Sequence, residues 1–207
     1  RVNEEEPHTI LFRTNAELAR KALKLISSDK KVYVEGGVND LCNDLWDLFA
    51  LRRGFDKSGK SDKYRIFKSF EEEAEHSIDV EKDVKLLNEL GEQLPSAVQT
   101  LRKSVKDKRS INKVDRILST AHKSKGLEWD NVSLHDDFGF LSKSEAEWNL
   151  IYVAITRARK NLQIPQELYS GMQNYIKQVH GFEETDQGKA IDGLLGGGVI
   201  YDEVGTM

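Results

Sequence analysis

The stretch "STAHKSKGLEWDNV" (Ser119–Val132) decides how the chain is read. Apolar "RIL" leads into it and "NVSL" closes it, so it spans two short strands and the loop between them. The loop carries hydroxyl, imidazole and ammonium groups at the carboxyl end of the first strand. In open α/β sheets that is the edge where ligands bind. Thr120 and His122 are neutral donors suited to a phosphodiester, and Lys123 and Lys125 add positive charge. Gly126 permits close backbone approach, and Glu128 is an acceptor fit for the vicinal hydroxyls of a ribose. A basic surface loop is the plain alternative, and composition does not separate the two.

Outward from this loop, strands and helices alternate. "HTILFRT" reads as a buried strand, followed by a helix "AELARKALKLISS" that Asn15 can cap. "KVYVEGG" is a second strand. "VNDLCNDLWDLFALRR" is a second helix, with Leu41, Leu45, Leu48 and Phe49 on one face. After the loop, "NVSLHDD" is a strand, "EAEWNLIYVAITRARK" a helix and "NLQI" a strand. "PQELYSGMQNYIKQVHG" closes with a helix whose first turn suits Pro165. This order predicts an α/β fold with a parallel sheet flanked by helices. Between Gly54 and Arg109 the spacing is helical throughout, with a break at Gly91 and Pro95, which reads as an all-helical insertion. The expected domains are residues 1–53 and 110–181 for the sheet domain, 54–109 for the insertion, and 182–207 for a Gly-rich tail with a short strand.

"GFDKSGKS" (Gly54–Ser61) matches G-x-x-x-x-G-K-S, the spelling of a phosphate-binding loop. Such a loop joins a buried strand to a helix, so that N–H groups converge on phosphate. Here an amphipathic helix precedes Gly54, placing it where a C-cap glycine belongs, and a helix C-terminus presents carbonyls instead. The match reads as a solvent-exposed connection. "HDD" (His135–Asp137) lacks partner ligands at metal spacing and reads as a strand-end turn.

In "EWNLIYVAITRARK" (Glu147–Lys160), Arg159 and Lys160 fit the favourable end of a helix dipole. Arg157 differs, because it directly follows the apolar "YVAIT" and is placed to meet a phosphate bidentately.

Composition is that of a globular protein, with 32% charged and 38% hydrophobic residues in a chain of 207. A net charge of −4 gives no overall attraction to a polyanion, so any nucleic-acid contact needs a local basic face. The lone Cys42 excludes a disulfide framework and a thiolate zinc site, and fits a reducing interior compartment. No apolar run approaches the roughly 18 residues of a membrane span. The opening without methionine, directly ahead of a strand, reads as a piece of something longer.

Taken in order, "ILFRTNA", "VYVEGG", "TAHKSKGLEWDNV" and "WNLIYVAITRARK" resemble the second RecA-like motor domain of UvrD/Rep-type superfamily 1 DNA helicases, closest to the F-box DNA helicase branch. The resemblance covers residues 8 to about 180, and its last two motifs are long and specific. It implies Arg157 as an arginine finger toward ATP, and Glu128 as the ribose carboxylate. Lys125 and Gly126 become coupling positions, and Arg13, Asn15, Thr120 and His122 become contacts to the single-stranded DNA backbone. Tyr152 matches a family aromatic that packing explains better than base stacking. The family further implies ATP with Mg2+ held mainly by the first motor domain, 3′-to-5′ movement, a monomer, no membrane, and a nuclear location if eukaryotic or a cytoplasmic one if prokaryotic. The chain alone is then expected to be inactive. A helicase-like binding module without ATPase activity, and a stand-alone nucleotide-binding enzyme using "GFDKSGKS", are the competing readings.

Overall fold

The computed structural model describes residues 2, 6–55, 78–139, 144–180 and 199–201. The chain forms two compact units, residues 14–118 and residues 1–13 with 119–207.

In the unit of residues 14–118, helix α1 (Asn15–Ser27) starts at Thr14, whose Oγ1 accepts from the Glu17 N–H. The cap is therefore Thr14, and Asn15 is the first helical residue. Both types can cap, and Thr14 has the extended backbone that the position requires. Strand β2 (Val32–Val34) pairs in parallel with β3 (Arg116–Thr120), Val32 opposite Arg116 and Val34 opposite Leu118. Helix α2 (Asn39–Arg53) buries Leu41, Leu45 and Leu48 on its apolar stripe. It ends at Gly54, where φ is 67°; the Phe55 N–H reaches the Ala50 carbonyl and the Gly54 N–H reaches that of Leu51. These are the paired bonds of a glycine-terminated helix. The capping role read for Gly54 is therefore observed, and residues 56–61 of the phosphate-loop spelling lie outside the described residues. Helices α3 (Ile78–Leu90) and α4 (Leu94–Ser104) pack against α1 and α2, with Leu87, Leu94 and Leu101 fully buried. Burying each such leucine contributes about 1.5–3 kcal/mol. The expected break between them is a 3-10 turn, Gly91–Gln93.

The other unit is a parallel sheet layered with helices. Strand β1 (His8–Phe12) pairs with β4 (Trp129–Leu134), β4 with β5 (Ala158–Ile164), and β5 with β6 (Val199–Tyr201), the short strand expected in the tail. Every residue of β1 is buried, as expected where helices cover a parallel sheet. Helices α5 (Glu145–Ile155) and α6 (Gln166–His180) complete the unit. Leu150, Ile151 and Ala154 of α5 and Leu168 and Met172 of α6 share one core with Leu11, Val132 and Leu162.

The helix expected through Lys160 stops at Ile155. The Thr156 N–H closes on the Tyr152 carbonyl and the Arg157 N–H on that of Ala154, and Ala158 begins β5. "ARK" has good helical propensity, but pairing with β4 overrides it. The register between β4 and β5 slips here. Trp129 faces Ala158 and Asn131 faces Asn161, so Asp130 alone stands opposite both Arg159 and Lys160. This is a β-bulge.

Candidate functional site

The loop after β3 is braced from within. The Ala121 N–H donates to the Phe12 carbonyl at 2.9 Å, which sets the loop against the end of β1. Ser124, fully buried, donates its hydroxyl to the Ala121 carbonyl at 2.8 Å and its N–H to the Thr120 carbonyl at 3.0 Å. The Thr120 hydroxyl oxygen, itself buried, accepts from the Lys123 N–H. Gly126 has φ of 80°, and a Cβ there would meet nothing within 4 Å. The left-handed backbone alone favours glycine here, and no described residue closes the space beside it. From this frame the side chains of His122, Lys125 and Glu128 stand exposed, with no hydrogen-bond partner among the described residues.

Arg157 lies in the turn between α5 and β5, half-buried. Its Nε donates to the Val153 carbonyl at 2.8 Å, Nη1 to the Leu127 carbonyl at 3.1 Å and Nη2 to the Thr156 hydroxyl at 2.8 Å. The Trp129 N–H returns a bond to the Arg157 carbonyl at 2.9 Å. Three neutral oxygens hold the guanidinium, and no carboxylate pairs with it among the described residues. A guanidinium carries five N–H donors, so the fork keeps capacity and its full charge. Because its Leu127 anchor immediately precedes Glu128, Arg157 and Glu128 come to the same loop end.

The neighbouring cations are spent differently. Arg159 and Lys160 both bind the Asp130 carboxylate at 2.6 Å, and the Lys160 hydrogen bond leads the causes that hold that carboxyl below its ordinary range. They lie on a strand, so the helix-end role expected for them does not apply.

Arg13 is also committed. Its Nε and Nη2 grip the Glu147 carboxylate, with Nε to Oε2 at 2.9 Å and Nη2 to Oε1 at 2.7 Å. Its backbone N–H donates to both oxygens of Asp137, at 3.0 and 3.1 Å. Asp137 belongs to the "HDD" segment, a 3-10 turn (Asp136–Phe138) entered from His135, whose ring stacks on Phe12 with centroids 4.6 Å apart. Asn15 opens α1 in the other unit. Tyr152, expected to pack, is 62% exposed on α5.

Glu147 and Asp137, the two carboxylates that hold Arg13, carry no assigned role in the sequence. Their signal is weak: Ser144 and Glu147 have S-x-x-E spacing, which suggests only a helix cap. The Ser144 hydroxyl does accept from the Glu147 N–H.

Residues 9–168 match the model of the UvrD-like helicase C-terminal domain. The chain belongs to this family. It is 32% identical over 180 residues to "F-box DNA helicase protein 1" of Schizosaccharomyces pombe, covering 75% of this chain and 20% of that protein. It is 28% identical over 194 residues to "F-box DNA helicase 1" of Gallus gallus, covering 77% of this chain and 19% of that protein. The chain thus spans about a fifth of the length of these relatives. No solved structure matches it significantly. Its parallel sheet flanked by helices is the RecA-like α/β architecture of a UvrD-like helicase C-terminal domain. No helix among the described residues is long and apolar enough to cross a membrane.

Proposed function

We propose that this UvrD-like domain is the second motor domain of an ATP-dependent DNA helicase or translocase, moving 3′ to 5′. The observation that carries the proposal is Arg157, a guanidinium fixed by three neutral oxygens and lacking a carboxylate partner among the described residues. A charge so held is aimed at an anion that arrives from elsewhere. In this reading the anion is the terminal phosphate of ATP bound mainly by a first motor domain of the same protein. An arginine supplied in this way contributes about 10³–10⁵ in rate. Because it reaches the phosphate only when the two domains close, hydrolysis becomes tied to closure.

Glu128 takes the ribose, and Lys125 and Gly126 couple the nucleotide end of the loop to its DNA end. Thr120, His122, Arg13 and Asn15 contact single-stranded DNA through its backbone, which suits movement that ignores sequence. Mg2+ is held mainly by the first motor domain in this reading. Residues 54–109 are then an insertion, and the protein works as a monomer on nuclear DNA in a eukaryote.

The test is Arg157→Ala in the full-length protein. DNA-stimulated ATP turnover should fall at least a thousandfold, about 10³, while nucleotide binding stays within a few-fold. Turnover close to that of the native protein would remove Arg157 from the mechanism.

A further inference from the structure

Arg13 meets Glu147 across 134 residues of sequence, in a fork of which the arginine side is 14% exposed and the glutamate side 25%. A carboxylate and a phosphate present the same pair of oxygens to a guanidinium, so the fork is also the geometry of phosphate capture. Glu147 occupies the third position of α5, where S-x-x-E spacing offers its carboxylate a local bond back to the cap. The carboxylate is turned to Arg13 instead. The Asp137 carboxylate fixes the backbone of Arg13 at the same time, so the fork is held at both its root and its tip.

Resting on the helicase reading, we propose that Glu147 is a positioning residue that stands in for a phosphate oxyanion at Arg13 and gives way when one arrives. A guanidinium this sheltered is costly without an anion, and Glu147 pairs with it and fixes its direction. A free anion in solution gains little by replacing a carboxylate already in place. A phosphate anchored by further contacts of its own does gain. The pair therefore sets a threshold that only a docked ligand crosses. The phosphate is either a diester of the DNA backbone or the terminal phosphate of a nucleotide, and the two sources separate by experiment.

The experiment uses the full-length protein with Glu147→Gln, Arg13→Ala and the double variant. Fluorescein-labelled oligo-dT and a fluorescent ATP analogue serve as probes. Glu147→Gln keeps the shape of the side chain and removes its charge. It should tighten one probe about tenfold, the scale of a charged hydrogen bond, and the probe that responds identifies the source. The gain must vanish in the Arg13→Ala background, which a general change in stability would not produce. If Glu147→Gln unfolds at a lower temperature than the native protein, Glu147→Asp takes its place, with a smaller tightening expected from its shorter reach. Unchanged or weaker binding of both probes overturns the proposal. Where the native protein retains DNA-stimulated ATPase, that result removes the Glu147 role alone. Where the native protein binds neither probe and hydrolyses nothing, the helicase reading falls and this proposal falls with it.

Discussion

Arg13, Arg157, Arg159 and Lys160 are all cations near strand ends, yet only Arg157 is held purely by neutral oxygens. Charge type alone does not mark a functional residue; the partner does. Gly126 makes the same point for backbone. Its φ of 80° lies where a side chain is disfavoured, although the space around it is open. Gly126→Ala should destabilise the domain by about 1–2 kcal/mol in thermal unfolding, the scale of a left-handed penalty. Chemical shifts should move chiefly across residues 121–128. A fully neutral substitution would show that the loop has another accessible conformation.

At the scale of elements, α2 and α4 meet around Cys42, a buried thiol whose Sγ faces the Val98 carbonyl at 3.9 Å. Burial pushes this thiol above its ordinary range, partly offset by Arg102. The unfolded chain releases the thiol proton from about pH 8.5 upward while the folded chain retains it. Stability from this group is therefore intact below that pH and declines above it. A native-state thiol reagent should react slowly at pH 8. Cys42→Ala should lessen the alkaline fall in melting temperature relative to the native chain. Rapid stoichiometric labelling of the folded protein would contradict this packing.

Elements were legible in the sequence where burial dictates composition. "TILF", "VYV" and "RIL" are continuous apolar runs, and they are strands β1, β2 and β3. The start of β5 was not legible, because "ARK" is helical by local preference and only its alignment with β4 makes it a strand. Thr14 and Asn15 are adjacent and both types can cap; residue type slightly favours Asn15, and only the extended backbone at Thr14 decides otherwise. For the site, His122, Lys125, Glu128 and Arg157 were readable as chemistry. The Arg13–Glu147 fork was not, since nothing local links residues so far apart.

Across the whole molecule, acidic and basic residues nearly balance, with a net charge of −4. Affinity for a polyanion must then come from a few placed cations rather than from the general field. Salt titration of single-stranded DNA binding should show this. Lys125, exposed and without a partner among the described residues, should carry about one phosphate contact. Lys125→Ala should flatten the dependence of log affinity on log salt by about 0.7. A slope identical to that of the native protein would move the DNA path away from this loop.

The bulge opposite Asp130 has one last consequence. Neighbouring residues on a strand ordinarily look to opposite sides, yet Arg159 and Lys160 both reach one carboxylate because the strand is a residue longer there than its alignment demands. That spare residue is slack. A chain shorter by one at this point could straighten and still bring Leu162 beside Val132, so the sheet itself does not dictate the motif's length.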